Sequence, residues 1–246
     1  NGLFAALLAR RGLTGPDQAF EGSSGFGKVY RVPMKLPSLG GGDVPYSLEL
    51  SRFKAYPCDY EAQCCVTPAA ALHRVLRDRL DDVERILIET YEHGVQCSAD
   101  TPDKWNPTTR ETADHSLPYV AAVALCRGTV WVDDFTPERI RDPKVHALMQ
   151  KIEVRAIDEF NRAWPEAYPF RMTVTMKSGQ THIEEVFHAK GHPKNPMTDQ
   201  EIEAKFRRLA EPVMGQAAAD RALSALWQME KMRSMQDLLS LFVLEA

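Results

Sequence analysis

The chain reads as an α+β protein in which helical segments flank a central region mixing helices and strands, and three observations lead there. Apolar residues recur at helix spacing near both ends, over residues 3–10 and again from about residue 199 onward. Between them the period falls to two in Ile152–Ile157, Phe170–Met176 and His182–Phe187, with Ser178-Gly179 as a hairpin turn. A connector at 33–50 carries Pro33, Pro37, Gly40, Gly41, Gly42 and Pro45, so the first helical part is set off by a hinge.

In order, residues 3–10 form a helix closed by Gly12, and Thr14–Asp17 starts another short helical piece, since Pro16 suits a first turn. Gly22–Val29 matches GxxxxGK in outline. Val29 stands where a magnesium-binding hydroxyl belongs and no buried strand precedes the run, so it reads as a surface turn. Phe53–Cys58 is extended and ends in a proline turn. Val66–Leu80 is a helix with Pro68 in its first turn, and His73 on it is structural or exposed. Val83–Tyr91 is a β-branched strand ended by His93-Gly94, and Asp100–Thr108 is a loop.

Thr109–Tyr119 is a dense polar run that turns into the apolar helix Val120–Cys126, with one face inward. Ser116 is its N-cap and Pro118 lies in its first turn. The backbone N–H groups of that turn, with Arg110, His115 and the Ser116 hydroxyl, suit either a well-capped helix or an anion such as a carboxylate. Helices start at Thr136-Pro137 and Asp142-Pro143. Thr198 and Glu201 form a capping box for the helix that follows, and further helices cover about 215–231 and 234–242. Trp227, Met229, Met232 and Met235 are expected in the core.

The 246 residues can bury a large core, and 44% hydrophobic with 26% charged residues is ordinary for a globular chain. A net charge of -4 implies no basic surface, which argues against nucleic acid, and no run is long enough for a membrane span. The five cysteines form no CxxC and no secretory pattern, so a reducing cytoplasm is the expected compartment. His182, His188 and His192 lack metal-ligand spacing, and no motif supplies a metal, nucleotide or cluster site. Lys54, isolated before the proline turn, is either a solvated charge or a point charge for an acidic ligand.

Three stretches then act together: Phe53-Lys-Ala-Tyr-Pro-Cys58, Trp105–Tyr119 and Gly191-His-Pro-Lys-Asn-Pro-Met-Thr-Asp199. They closely resemble the MmgE/PrpD family of dehydratases, decarboxylases and epimerases of small polycarboxylates, and Asn1–Ala9 and Phe135–Pro143 are also similar to it. The resemblance implies an all-helical domain interrupted by an α+β lid, with the active site between them and a homodimer as the common assembly. Here it places residues 1–47 in the helical domain and its linker, 48–187 in the lid and 188–246 back in the helical domain. It implies the C-terminal half of a longer protein, whose other half, carrying the catalytic base, lies in the same protein or in an associated chain.

By the same resemblance the reaction is dehydration of a 2-methylcitrate-like hydroxy-polycarboxylate without a cofactor. The alternatives are decarboxylation or epimerisation of a related polycarboxylate, or a non-catalytic half or subunit of a split enzyme. Lys54 matches the family lysine that reaches substrate. Arg110 is a second carboxylate contact, Ser116 a further one, and His115 either carries a proton or donates a hydrogen bond. Where many relatives have histidine after the Tyr-Pro pair, this chain has Glu61, which would repel a carboxylate if it faced the site.

Overall fold

A computed structural model describes residues 1–33 and 41–243, so part of the 33–50 connector, including Pro37 and Gly40, lies outside the described residues. The chain divides into two compact units, Asn1–Leu50 and Ser51–Ala246. The first holds α1 (Gly2–Arg10), whose Leu3 and Phe4 are exposed, and the single turn α2 (Phe26–Val29), which carries Lys28. The helical piece expected from Thr14 is absent: Asp17–Glu21 form turns. Gly12, Gly15 and Gly22 leave too few residues between them to repay helix nucleation.

The second unit opens with α3 (Tyr60–Gln63) and α4 (Val66–Leu76), the latter stopping four residues before the expected Leu80. β1 (Val83–Thr90) follows. His93-Gly94 do not terminate the chain's regular structure there but lie inside α5 (Glu92–Ser98), because the Asn161 side chain accepts from Glu92 N at 2.7 Å and serves the helix start. The expected loop at 100–108 contains α6 (Pro102–Trp105), and the polar run before Ser116 is itself a helix, α7 (Arg110–Asp114), capped by Thr109. Next come α8 (Leu117–Arg127), α9 (Pro137–Ile140) and α10 (Pro143–Met149), the last two capped by Thr136 and Asp142. β2 (Ile152–Ala156), α11 (Asp158–Ala163), β3 (Phe170–Met176) and β4 (Thr181–Val186) complete the mixed region.

The chain then returns to helices in α12 (Asp199–Met214), α13 (Gln216–Leu226) and α14 (Met235–Ser240). The Thr198–Glu201 capping box forms in both directions, at 3.2 and 2.7 Å. Trp227, Met229 and Met235 are exposed rather than core. The Trp227 indole donates to Glu203 at 2.8 Å, which fixes the ring along the surface of α12.

The fold of the second unit is therefore mixed, with one four-stranded sheet in the order β2-β1-β3-β4. β1 and β2 are parallel; β3 runs antiparallel to both β1 and β4. The β3–β4 hairpin turns through Gly179 at φ +83, where a glycine costs no steric energy. Strand alternation puts Ile86, Ile88, Phe170, Met172, Val174 and Met176 on the buried face. The opposite face carries charge in register: Glu89 lies opposite Arg155 and Arg171, and Arg171 lies opposite Glu185. Their contacts run at 2.6 Å (Arg155–Glu89), 3.4 Å (Arg171–Glu89) and 2.6 Å (Arg171–Glu185). Burial opposes ionisation of Glu89, yet the hydrogen bonds from Arg155 and Arg171 hold its carboxyl below the ordinary range.

Helix α4 covers the sheet at β3 and β4 and packs on α8, which packs in turn on α10. Every residue of α8 from Leu117 to Leu125 is buried, so this helix is enclosed on all sides instead of turning one face inward. Its far end is held by Arg127, which pairs with Asp134 and, at 3.0 Å, with Asp142. His73 is structural: its Nδ1 lies 2.8 Å from the Leu125 carbonyl.

Ile86 sits fully buried on the central strand pair. Ile86→Ala leaves a cavity there and should cost about 2–5 kcal/mol, read as a lower urea midpoint at unchanged slope.

Candidate functional site

The three motif stretches meet at one loop, Phe53–Asp59. Phe53 N donates to Gly191 O at 2.9 Å. Gly191 has φ +91, and a Cβ there would lie 2.1 Å from Phe53 O, so no other residue fits without moving a backbone. The side-chain oxygen of Gln63, itself 1% exposed, accepts from Ala55 N at 3.1 Å and Tyr56 N at 3.5 Å. Asp59 N donates to Asp114 O at 2.8 Å, and the Asp59 carboxylate accepts from Ser98 Oγ at 2.9 Å. From α12, Lys205 Nζ donates to Lys54 O.

Beside this loop lies a cavity of about 240 Å³ lined by Tyr56, Trp131, Lys190, Glu201, Lys205 and Arg208, among others. Its electrostatics favour an anion. Burial, and then the charge of Lys54, push the Lys205 ammonium down from its ordinary value. Among the described residues neither lysine has a carboxylate within ion-pair reach, although Lys190 pairs with Glu201 at 3.0 Å. The Arg208 guanidinium stacks 3.9 Å from the centre of the Trp131 ring, which holds the charge in place at the wall. Burial, and then the Glu201 charge, raise the Tyr56 phenol, keeping it a protonated donor.

The sequence-predicted residues separate. Lys54 stands on the hub loop, exposed, next to Lys205. Arg110 opens α7 and is exposed; His115 ends it, 57% exposed in its side chain, with Nδ1 against Asp114 and 3.1 Å from Glu111 O. Neither lines the cavity. Ser116 is fully buried: its hydroxyl accepts from Tyr119 N at 3.1 Å and donates to Lys104 O, so both of its hydrogen-bonding functions are used within the fold. Glu61 lies on α3, where burial and then the Asp59 charge push its carboxyl up, and an imidazole stands beside it after all, with His93 Nε2 at 3.9 Å. His188 and His192 stack at 4.4 Å, and among the described residues no three-donor metal group includes them. Sequence reasoning missed Lys205, Arg208 and Gln63. A lysine and an arginine on a capped, charged helix carry no local mark of a site, and Gln63 acts only through the folded loop.

This geometry defines a protein whose cationic cavity is built where three separated motifs converge on one lysine-bearing loop. The sequence signature of the MmgE/PrpD C-terminal domain matches residues 56–231, and the chain belongs to the MmgE/PrpD family. It is similar to cis-aconitate decarboxylase of Mus musculus, 27% identical over 96% of this chain and 48% of the relative. The Homo sapiens cis-aconitate decarboxylase is 28% identical over 87% of this chain and 44% of the relative. The mitochondrial 2-methylcitrate dehydratase of Yarrowia lipolytica is 29% identical over 60% of this chain and 29% of the relative. The chain thus spans about half the length of the decarboxylases it matches. Among the described residues no helix is long and apolar enough to cross a membrane.

Two measurements check the architecture of the site. Gly179 and Gly191 share a left-handed backbone, but only Gly191 faces a close carbonyl. Gly179→Ala should cost about 1–2 kcal/mol, and Gly191→Ala distinctly more, by chemical denaturation. Separately, burial, then the charges of His188, Arg52 and Lys194, lower His192 to about 4. The unfolded value is about 6.5, so neutral His192 contributes stability above that pH, and the contribution is lost as pH falls from 6.5 toward 4. NMR titration of the imidazole should show a midpoint near 4, and His192→Asn should flatten the stability profile across that window.

Proposed function

We propose that this chain supplies the carboxylate-holding part of a lyase site for a small polycarboxylate, with dehydration of a 2-methylcitrate-like hydroxy acid as the first reading. The observation that carries it is the Lys205 ammonium set on the Lys54 carbonyl, 151 residues away in sequence, with the Lys54 charge near enough to lower it, beside a cavity walled by Arg208 and Tyr56. Like charges so placed repel one another until an anion enters, and a carboxylate relieves that repulsion.

In dehydration a base takes the proton from the carbon next to a carboxylate. The C–H pair becomes the double bond as hydroxide leaves the neighbouring carbon with a proton from an acid. Charge builds on the carboxylate flanking the proton, and fixed cations at that position stabilise the transition state more than the ground state. Lys54 and Lys205 fill that role, with Arg208 on a second carboxylate and the Tyr56 phenol as a hydrogen-bond donor. Arg110 and His115, on exposed α7, act at the site when a covering domain or subunit closes over that helix. Residues 48–187 then serve as the lid and 188–246 as part of the helical body. The base comes from the remainder of the protein, or from an associated chain in a homodimer or split enzyme.

Decarboxylation is the second reading, because the mouse and human decarboxylases match more of this chain than the yeast dehydratase does. It needs the same carboxylate grip: the bond from carbon to one carboxylate breaks, carbon dioxide leaves, and the electron pair left on carbon takes up a proton from an acid. Product analysis of the complete enzyme with 2-methylcitrate, cis-aconitate and iminodisuccinate separates dehydration, decarboxylation and epimerisation. In that enzyme Lys54→Ala and Lys205→Ala should each lower kcat/KM by about 10²–10³-fold, the scale of losing one transition-state donor, with the fold intact by circular dichroism. Unchanged kinetics for both would remove the lysine pair from the site.

A further inference from the structure

A second group of chemically capable side chains lies where α3 meets α5, apart from the cationic cavity. His93 and Cys97 are one helical turn apart on α5, and Cys97 Sγ lies 3.4 Å from His93 Nε2. Glu61, from α3, places Oε1 at 3.9 Å from the same nitrogen. One donor atom from each of the three residues lies within 4.8 Å of the other two. Zinc bonds of about 2.0–2.3 Å in a tetrahedron hold their donors roughly 3.3–3.8 Å apart. The nitrogen–sulfur separation meets that value; Sγ also lies 3.9 Å from His93 Nδ1, so binding turns the exposed ring to aim Nε2 at the metal, and the carboxylate needs a small side-chain adjustment.

The surroundings suit a cation. The Asp59 carboxylate neighbours Glu61 and is held by Ser98 Oγ at 2.9 Å, which adds a fixed negative charge behind the donors. His93 is exposed and leaves an approach from solvent, while its ring rests against Trp164 with centroids 5.0 Å apart. Imidazole, thiolate and carboxylate together select a borderline-soft dication over magnesium or calcium, which take oxygen alone.

We propose that Glu61, His93 and Cys97 form a binding site for a zinc-class divalent cation, with a fourth position open to water or a ligand carboxylate. Binding would break the Cys97 S–H bond, form a metal–sulfur bond and release the proton to solvent; no electron is transferred.

Cobalt(II) is a direct probe, added to the reduced 246-residue chain at neutral pH. The expected result is one cobalt per chain, a thiolate-to-cobalt charge-transfer band with tetrahedral visible bands, about one proton released and partial quenching of tryptophan fluorescence that is lost in Trp164→Phe. Cys97→Ser should abolish the charge-transfer band. Glu61→Gln and His93→Ala should each weaken binding by at least about 10-fold, the scale at which even outer-shell partners act. Circular dichroism of each variant keeps loss of fold distinct from loss of a ligand. No charge-transfer band at millimolar cobalt, or a band that survives Cys97→Ser, would overturn the assignment.

Discussion

How closely two backbones approach at Gly191 decides whether the cationic cavity forms at all. The Phe53–Gly191 hydrogen bond lays the loop that carries Lys54 against the start of the segment leading into α12. Only a residue without Cβ permits it, since the Phe53 carbonyl fills the space a side chain needs. From that contact the rest follows: α12 projects Lys205 to the Lys54 carbonyl, and Arg208, one turn on, reaches the Trp131 wall. Gln63 holds the loop from the other side with a single buried oxygen.

The charges of the second unit fall into two kinds. On the outer face of the sheet, Glu89, Arg155, Arg171 and Glu185 occupy opposing register positions, and every charge meets its opposite. Arg127 similarly ties two acidic caps together at the end of α8. These pairs satisfy the fold. Around the hub loop the pattern reverses: burial and then the Lys54 charge lower the Lys205 ammonium, and among the described residues neither lysine has a carboxylate partner. Lys54 and Lys205 thus leave positive charge beside a cavity in which Lys190 is paired with Glu201.

What the sequence made legible was local. The two-residue period marked β2, β3 and β4, and Ser178-Gly179 marked their hairpin, because alternation and turn chemistry are written in neighbouring residues. The caps at Ser116, Thr136, Asp142 and Thr198 were legible for the same reason. Short helices α5, α6, α7 and α11 were not, since helices of one or two turns depend on tertiary support such as the Asn161 side chain at the start of α5. Trp227 and the methionines after it show the converse: an apolar side chain states a preference for burial, and only the fold decides whether it is met. At the site, the three motifs and Lys54 could be read from residue order. Lys205 and the Glu61–His93–Cys97 group could not, because proximity across distant segments has no signature in spacing.

The separation between Lys54 and Lys205 has a consequence for how the protein is made. A growing chain exposes the hub loop long before α12 exists, and the loop's partners arrive at Gln63, Asp114, Gly191 and Lys205 in that order. The sheet and α8 can settle first from nearer contacts, whereas the cationic cavity must wait for the last and longest closure. Assembly of the cationic cavity is therefore a late event in biogenesis, completed only after most of the core has already set.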